Sequence, residues 1–132
     1  MFVRSEIFYI PFQGPSTNAI YGGQHWTRRK ASKDEAREIV LAHVSTEPFT
    51  DPVALQFVPL VGKGARTRDL SNYTYGIKLV EDGLVSAGIL VDDTDRYVQS
   101  IRVYQPIKDR DRDSGFILRI SEVSAETPEW AT

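Results

Sequence analysis

The order in which two periodicities alternate along this chain constrains its fold more than any other feature. Apolar residues recur at helical spacing twice, as Ala36, Ile39, Val40 and Val44 and again as Ile77, Val80, Leu84 and Ala87. Runs of β-forming residues surround them, at 7–12, 53–61, 89–91, 97–104 and 116–121. Strand, helix, strand, helix and then two or three strands predicts an α+β fold, a mixed β-sheet with two main helices on one face. At 132 residues there is room for one small domain with one core. The patterning fills residues 1–123, and 124–132 read as a flexible, acidic C-terminal tail.

Local signals set the boundaries. Gly14-Pro15 stops the first strand, and 16–31 reads as a long loop holding Gly22-Gly23 and the polar-aromatic group Gln24-His25-Trp26. A loop of that length in a small domain is more often functional than idle. Ser32-Lys33-Asp34-Glu35 fits a capping box that starts the first helix, which ends before Pro48. Pro59 marks the 53–61 strand as an edge or a bulge. The second helix runs from about Thr74 to Ala87, with Gly88 as its stop. The 97–104 and 116–121 runs read as partners, joined through the charged turn at 108–115.

Composition removes whole classes of function. Zero cysteines exclude disulfides, thiolate metal sites and cysteine nucleophiles, and suit a reducing, cytoplasmic setting. No apolar run approaches a membrane span, and the start lacks the apolar core of a signal peptide. A net charge of −2 gives weak long-range capture of nucleic acid. Positive charge is nevertheless concentrated at Arg28, Arg29, Lys30 and Lys33, and at Lys63, Arg66 and Arg68. A third group, Lys108, Arg110 and Arg112, alternates with Asp109, Asp111 and Asp113 and nearly cancels.

The chemistry-bearing stretch runs from Arg68 to Asp93. Asp69 and Asp93 stand beyond the two ends of the second helix pattern, which itself carries Lys78 and Asp82. If the chain folds so that both ends share a surface, these carboxylates can grip one cation near basic side chains, as magnesium-assisted phosphodiester chemistry requires. Each residue also has a plainer role. Asp69 and Ser71 can cap a helix, Asp92 to Asp95 can be a solvated turn, and Lys78 with Asp82 can be an ordinary i,i+4 ion pair worth about 0.3–0.5 kcal/mol. His25 beside Trp26 is more often a packing or hydrogen-bonding residue than a general base.

The motif Asp69-Leu70-Ser71-Asn72, Lys78 to Asp82 to Leu84, Ala87-Gly88 and Asp92-Asp93 resembles the RusA-type Holliday junction resolvases, most closely those of phages and prophages. The opening strand, Asn18 and His25-Trp26 before a basic stretch extend the likeness to about Val123. The resemblance implies a homodimeric, magnesium-dependent endonuclease, with manganese as a substitute, that nicks four-way DNA junctions in recombination, repair or phage DNA processing. It implies catalytic roles for Asp69, Asp93 and Lys78, and a metal held by Asp69, Asp93 and Asp92. It also implies DNA contact by Trp26, Arg28, Arg29, Lys30, Lys63, Arg66 and Arg68. Ser71 occupies a position where the family has a second catalytic aspartate, and Tyr73-Thr74-Tyr75 lengthen the path to Lys78 by three residues. Asp82, Asp92 or Asp95 are the candidates to replace the lost charge. The alternative is a junction-binding dimer that has lost cleavage through Ser71.

Overall fold

The structure, a computed structural model, describes residues 4–23, 26–123 and 128–132. In chain order it contains β1 (Ser5–Ile10), α1 (Thr17–Tyr21), α2 (Trp26–His43), β2 (Val53–Val61), α3 (Thr74–Ser86), β3 (Val98–Val103), β4 (Ile107–Lys108) and β5 (Gly115–Glu122). Short 3-10 turns cover Leu70–Tyr73 and Glu129–Ala131. The five strands make one mixed sheet in the order β1–β5–β2–β3, with β4 also on β2. β5 is antiparallel to both β1 and β2, whereas β3 and β4 run parallel to β2. The α+β expectation holds.

The core follows from strand alternation meeting helix stripes. Leu55 and Phe57 of β2 stand opposite Ile120 and Leu118 of β5, and all four are fully buried. Cross-strand pairs of this kind are the unit of sheet stabilisation. Against that face lie Ala36, Val40 and Val44, with Ile77, Val80 and Leu84, all buried as their spacing predicts; Ile39 and Ala87 are partly buried beside them. Phe116 meets Phe57 edge-on at 5.5 Å and Tyr73 at 6.2 Å. Among the described residues, no helix is long and apolar enough to cross a membrane.

Four local expectations are corrected. First, β3 and β5 do not pair with each other; they flank β2 on opposite sides. The 108–115 segment crosses the end of β2 instead of making a hairpin, and is tied there by Lys63 N–H to the Arg112 carbonyl (3.0 Å) and Gly62 N–H to Ser114 Oγ (2.9 Å). Second, Pro59 lies in a central strand. It faces Phe116 of β5 on one side, and on the other falls between the β3 pairing, which ends at Phe57, and the β4 pairing, which begins at Leu60. That gap is where a residue without an N–H costs least.

Third, α2 starts at Trp26, six residues ahead of Ser32, so the capping-box residues lie inside a helix. Arg28, Arg29, Lys30 and Ala31 are good helix formers with few apolar neighbours, a signal carried by propensity rather than periodicity. The expected loop also contains α1, capped by Ser16, whose Oγ accepts from the Ala19 N–H at 3.2 Å. Fourth, 89–91 makes a single bridge, Leu90 to Phe49, rather than a strand. The tail prediction falls partly on residues outside those described; within it, Trp130 is exposed.

Candidate functional site

Three residues of α3 supply most of the site. Lys78, Glu81 and Asp82 are three and four positions apart, so one helix face carries them together. At the helix end Gly88 adopts φ +75°, the Gly88 N–H bonds to the Val85 carbonyl (3.0 Å) and the Ile89 N–H to the Leu84 carbonyl (2.9 Å). This is a Schellman stop, and its left-handed residue reverses the chain. The reversal brings Asp93 back beside the helix. Its Oδ2 lies 2.5 Å from Lys78 Nζ, while Glu81 Oε1 and Asp82 Oδ1 are each 3.2 Å from the same nitrogen. Asp92 steadies the turn by accepting the Asp93 N–H at 2.8 Å.

One oxygen from each of Glu81, Asp82 and Asp93 lies within 4.8 Å of the others, and this group can hold a metal ion. Oxygen donors of this hardness suit magnesium, calcium or manganese rather than a soft metal. The charges are strongly coupled. Hydrogen bonding from Lys78 holds the Asp93 carboxyl below the usual carboxylate range. Burial pushes Glu81 up, against the pull of Lys78. Lys78 itself is raised, chiefly by its bond to Asp93. One ammonium faces three carboxylates, so the group keeps surplus negative charge for a cation when all are ionised.

The other end of α3 is built differently. Asp69 has extended backbone before the Leu70–Tyr73 turn, and its side chain makes no capping hydrogen bond. Its backbone carbonyl accepts from the Asn72 N–H at 2.9 Å instead. The capping role is therefore not what Asp69 performs. Ser71 is exposed, and its carbonyl accepts from Thr74 Oγ1 at 2.7 Å. Asn72 Oδ1 accepts the Asn18 N–H at 3.1 Å, and Thr17 Oγ1 accepts the Tyr75 N–H at 3.2 Å, so this turn is fastened to α1. The additional Tyr73-Thr74-Tyr75 complete the 3-10 turn and open α3, with Tyr73 buried and its hydroxyl accepting the Arg68 N–H at 3.0 Å.

Of the carboxylates named from sequence, Asp93 and Asp82 belong to the converging group, whereas Asp69 and Asp92 do not; Glu81 completes it. Glu81 was missed because it borders the apolar stripe of Ile77, Val80 and Leu84. Its place three residues after Lys78 was the available signal.

Among the described residues, the basic residues divide into braces and exposed cations. Arg29 donates through Nη2 to the Ile20 carbonyl (3.0 Å), and Arg68 through Nη2 to the Gly14 carbonyl (3.1 Å); burial lowers the Arg68 pKa. Arg28, Lys30, Lys63, Arg66 and Trp26 are exposed. Arg110 fixes the 62–66 loop by donating to the Gly62 (2.6 Å) and Ala65 (2.8 Å) carbonyls. Arg112 pairs with Asp109 at 2.7 Å, as the alternating charges anticipate. A cavity of about 700 Å³ opens between Gln13, Ser32, Glu35, Arg66 and Arg68. His25 lies outside the described residues. No protein-family model matches this chain, and no curated protein matches it.

Proposed function

We propose that this protein is a magnesium-dependent, structure-selective DNA endonuclease of the RusA type. It nicks four-way junctions as a homodimer, in recombination, repair or phage DNA processing in the cytoplasm of a bacterial or phage-infected cell. The observation that carries this reading is the meeting of Lys78 and Asp93 at 2.5 Å across fifteen residues of sequence. Lys78 and Asp93 thereby meet within one group of carboxylates, Glu81, Asp82 and Asp93, able to hold a cation.

In this reading Asp93, Glu81 and Asp82 would hold the ion, and Asp69, outside that group, would be a further acidic residue of the site. Magnesium bound there would supply an activated water and offset charge gathering on the phosphate. Lys78 stays protonated beside Asp93 and offers its ammonium to the phosphate oxygens, where charge grows. Arg28, Lys30, Lys63 and Arg66 contact phosphates and fix the register of the DNA. A two-fold junction is matched by a two-fold protein with two such sites.

The test is nicking of a synthetic four-way junction in magnesium and in manganese. Paired nicks that vanish on Asp93→Asn are expected; an intact junction in both metals, together with no junction binding, ends the proposal. A second reading, a binding dimer that does not cut, is favoured by one observation: at position 71 an exposed hydroxyl stands in place of a carboxylate. Binding without nicks, with cutting restored by Ser71→Asp, selects that reading.

A further inference from the structure

A second cavity, of about 410 Å³, lies between the start of α2 and the start of α3. Trp26, Arg29, Lys30, Lys33 and Tyr75 line it. Its volume falls within the ~300–1,000 Å³ usual for small-ligand sites. Among the described residues, two aromatic rings and three cations line it, without a carboxylate. Trp26 is 67% exposed, while Tyr75 is partly buried against the core with its N–H held by Thr17 Oγ1. Arg29 is braced by its bond to Ile20. An aromatic face with fixed positive charge around it selects a flat ring carrying phosphate.

The cavity also lies on a path to the carboxylates. Lys33 lines both it and a neighbouring cavity of about 230 Å³, which Asp82 lines too; Asp82 belongs to the acidic group. Tyr75 and Asp82 are seven residues apart on α3, about 10 Å along the axis. That distance corresponds to about three stacked nucleotides of one strand.

We infer that the cavity between α2 and α3 binds an unpaired nucleotide of a DNA strand, its base stacked on Trp26 and Tyr75 and its phosphate held by Lys30 and Lys33. The inference rests on the DNA reading above and refines it: the preferred substrate carries a single-stranded or unstacked nucleotide within a few positions of the phosphate that meets the carboxylates. A paired base inside a duplex cannot enter, because both of its faces are already covered.

The chain has two tryptophans, so Trp130→Phe leaves Trp26 as the sole indole reporter. In chelator, to prevent cutting, its fluorescence is titrated with a short oligothymidylate, the same strand with abasic sites, thymidine monophosphate, a blunt duplex and a four-way junction. Quenching by the oligothymidylate, and much less by the abasic strand and the duplex, is expected. Trp26→Ala should weaken strand binding on the order of tenfold, with Trp26→Phe regaining most of it. Lys33→Gln should make binding less salt-dependent. Thymidine monophosphate binding as tightly as the strand assigns the cavity to a free nucleotide and overturns the proposal. Normal junction binding with Trp26 unquenched and Trp26→Ala unaffected overturns it too, leaving the nuclease reading intact. Absence of binding to every DNA removes both.

Discussion

The two ends of α3 hold the residues that bear on function, and they are built on opposite principles. At the start, Asp69, Ser71 and Asn72 are fixed through backbone and amide hydrogen bonds to neighbours and to α1, which leaves the Asp69 carboxylate without a capping duty. Beyond the far end, Asp93 is held through its charge, by Lys78. The first arrangement positions a carboxylate without using it. The second uses the carboxylate to hold itself in place, so a ligand that binds there must compete with Lys78. The contrast teaches that one motif can be preorganised at one end and switchable at the other.

Activity breaks this comparison most sharply. Asp93→Asn should lower junction nicking by roughly 10²–10³-fold, the scale of losing a group aimed at transition-state charge. Asp69→Asn should cost as much if both ends serve one ion. Rates of the two single variants and the double variant decide the matter. A double variant no worse than Asp93→Asn alone indicates a shared ion, whereas an unaffected Asp69→Asn confines the chemistry to the Glu81, Asp82 and Asp93 group.

Stability separates the ends next. Gly76 is buried in the first half of α3, and a Cβ there would stand 1.8 Å from the Gln13 carbonyl oxygen. Because the obstacle is backbone, no rotamer relieves it. Gly76→Ala should therefore destabilise by about 1–3 kcal/mol, the usual range for overpacking, read as a lower urea midpoint at unchanged m-value. An unchanged midpoint would show that the 13–15 loop moves away freely and that the start of α3 is not rigidly seated.

Gly88→Ala probes the far end with a smaller expected loss, about 1–2 kcal/mol for a left-handed alanine. Its diagnostic value is positional. Relaxing the reversal at φ +75° should loosen Asp93 from Lys78, seen as a rise of the Asp93 carboxyl pKa by NMR titration. If the pKa stays low, the Asp92 turn rather than the Schellman stop sets the geometry.

Much of this was legible in sequence, and the failures have physical causes. The apolar stripes of both helices, the bounds of β2 and the stop at Gly88 follow from periodicity and from glycine's access to positive φ. The partners of β3 and β5 did not follow, since alternation shows that a strand has an inner face but not which neighbour it chooses. The early start of α2 was hidden because Arg28, Arg29 and Lys30 are polar all round and carry no period. In the site, Asp93 was expected beside Asp69 and instead meets Lys78. The pairing of Lys78 with Asp82 was implicit in their spacing. Glu81 was not, because a carboxylate buried beside an apolar stripe runs against the ordinary expectation for its type.

The smallest effect expected is in pH dependence, where the two acids of one cluster pull in opposite directions. Asp93 lies below its ordinary 3.8, so its contribution is present above that value and lost as pH falls through the lowered folded one. Glu81 lies above its ordinary 4.5 because of burial. The folded state therefore favours its protonated form, and that advantage is complete below 4.5 and is lost as pH rises through the raised folded value. Since Lys78 and Asp93 are partly exposed, solvent screening keeps the Asp93 contribution below about 1 kcal/mol. Urea midpoints followed between roughly pH 3 and 7 should lose their acid-side decline in Asp93→Asn and their decline above pH 4.5 in Glu81→Gln. Identical profiles in both variants and the parent would mean that the cluster titrates in the folded chain as it does in the unfolded one, and Lys78 would then be a bystander to both acids.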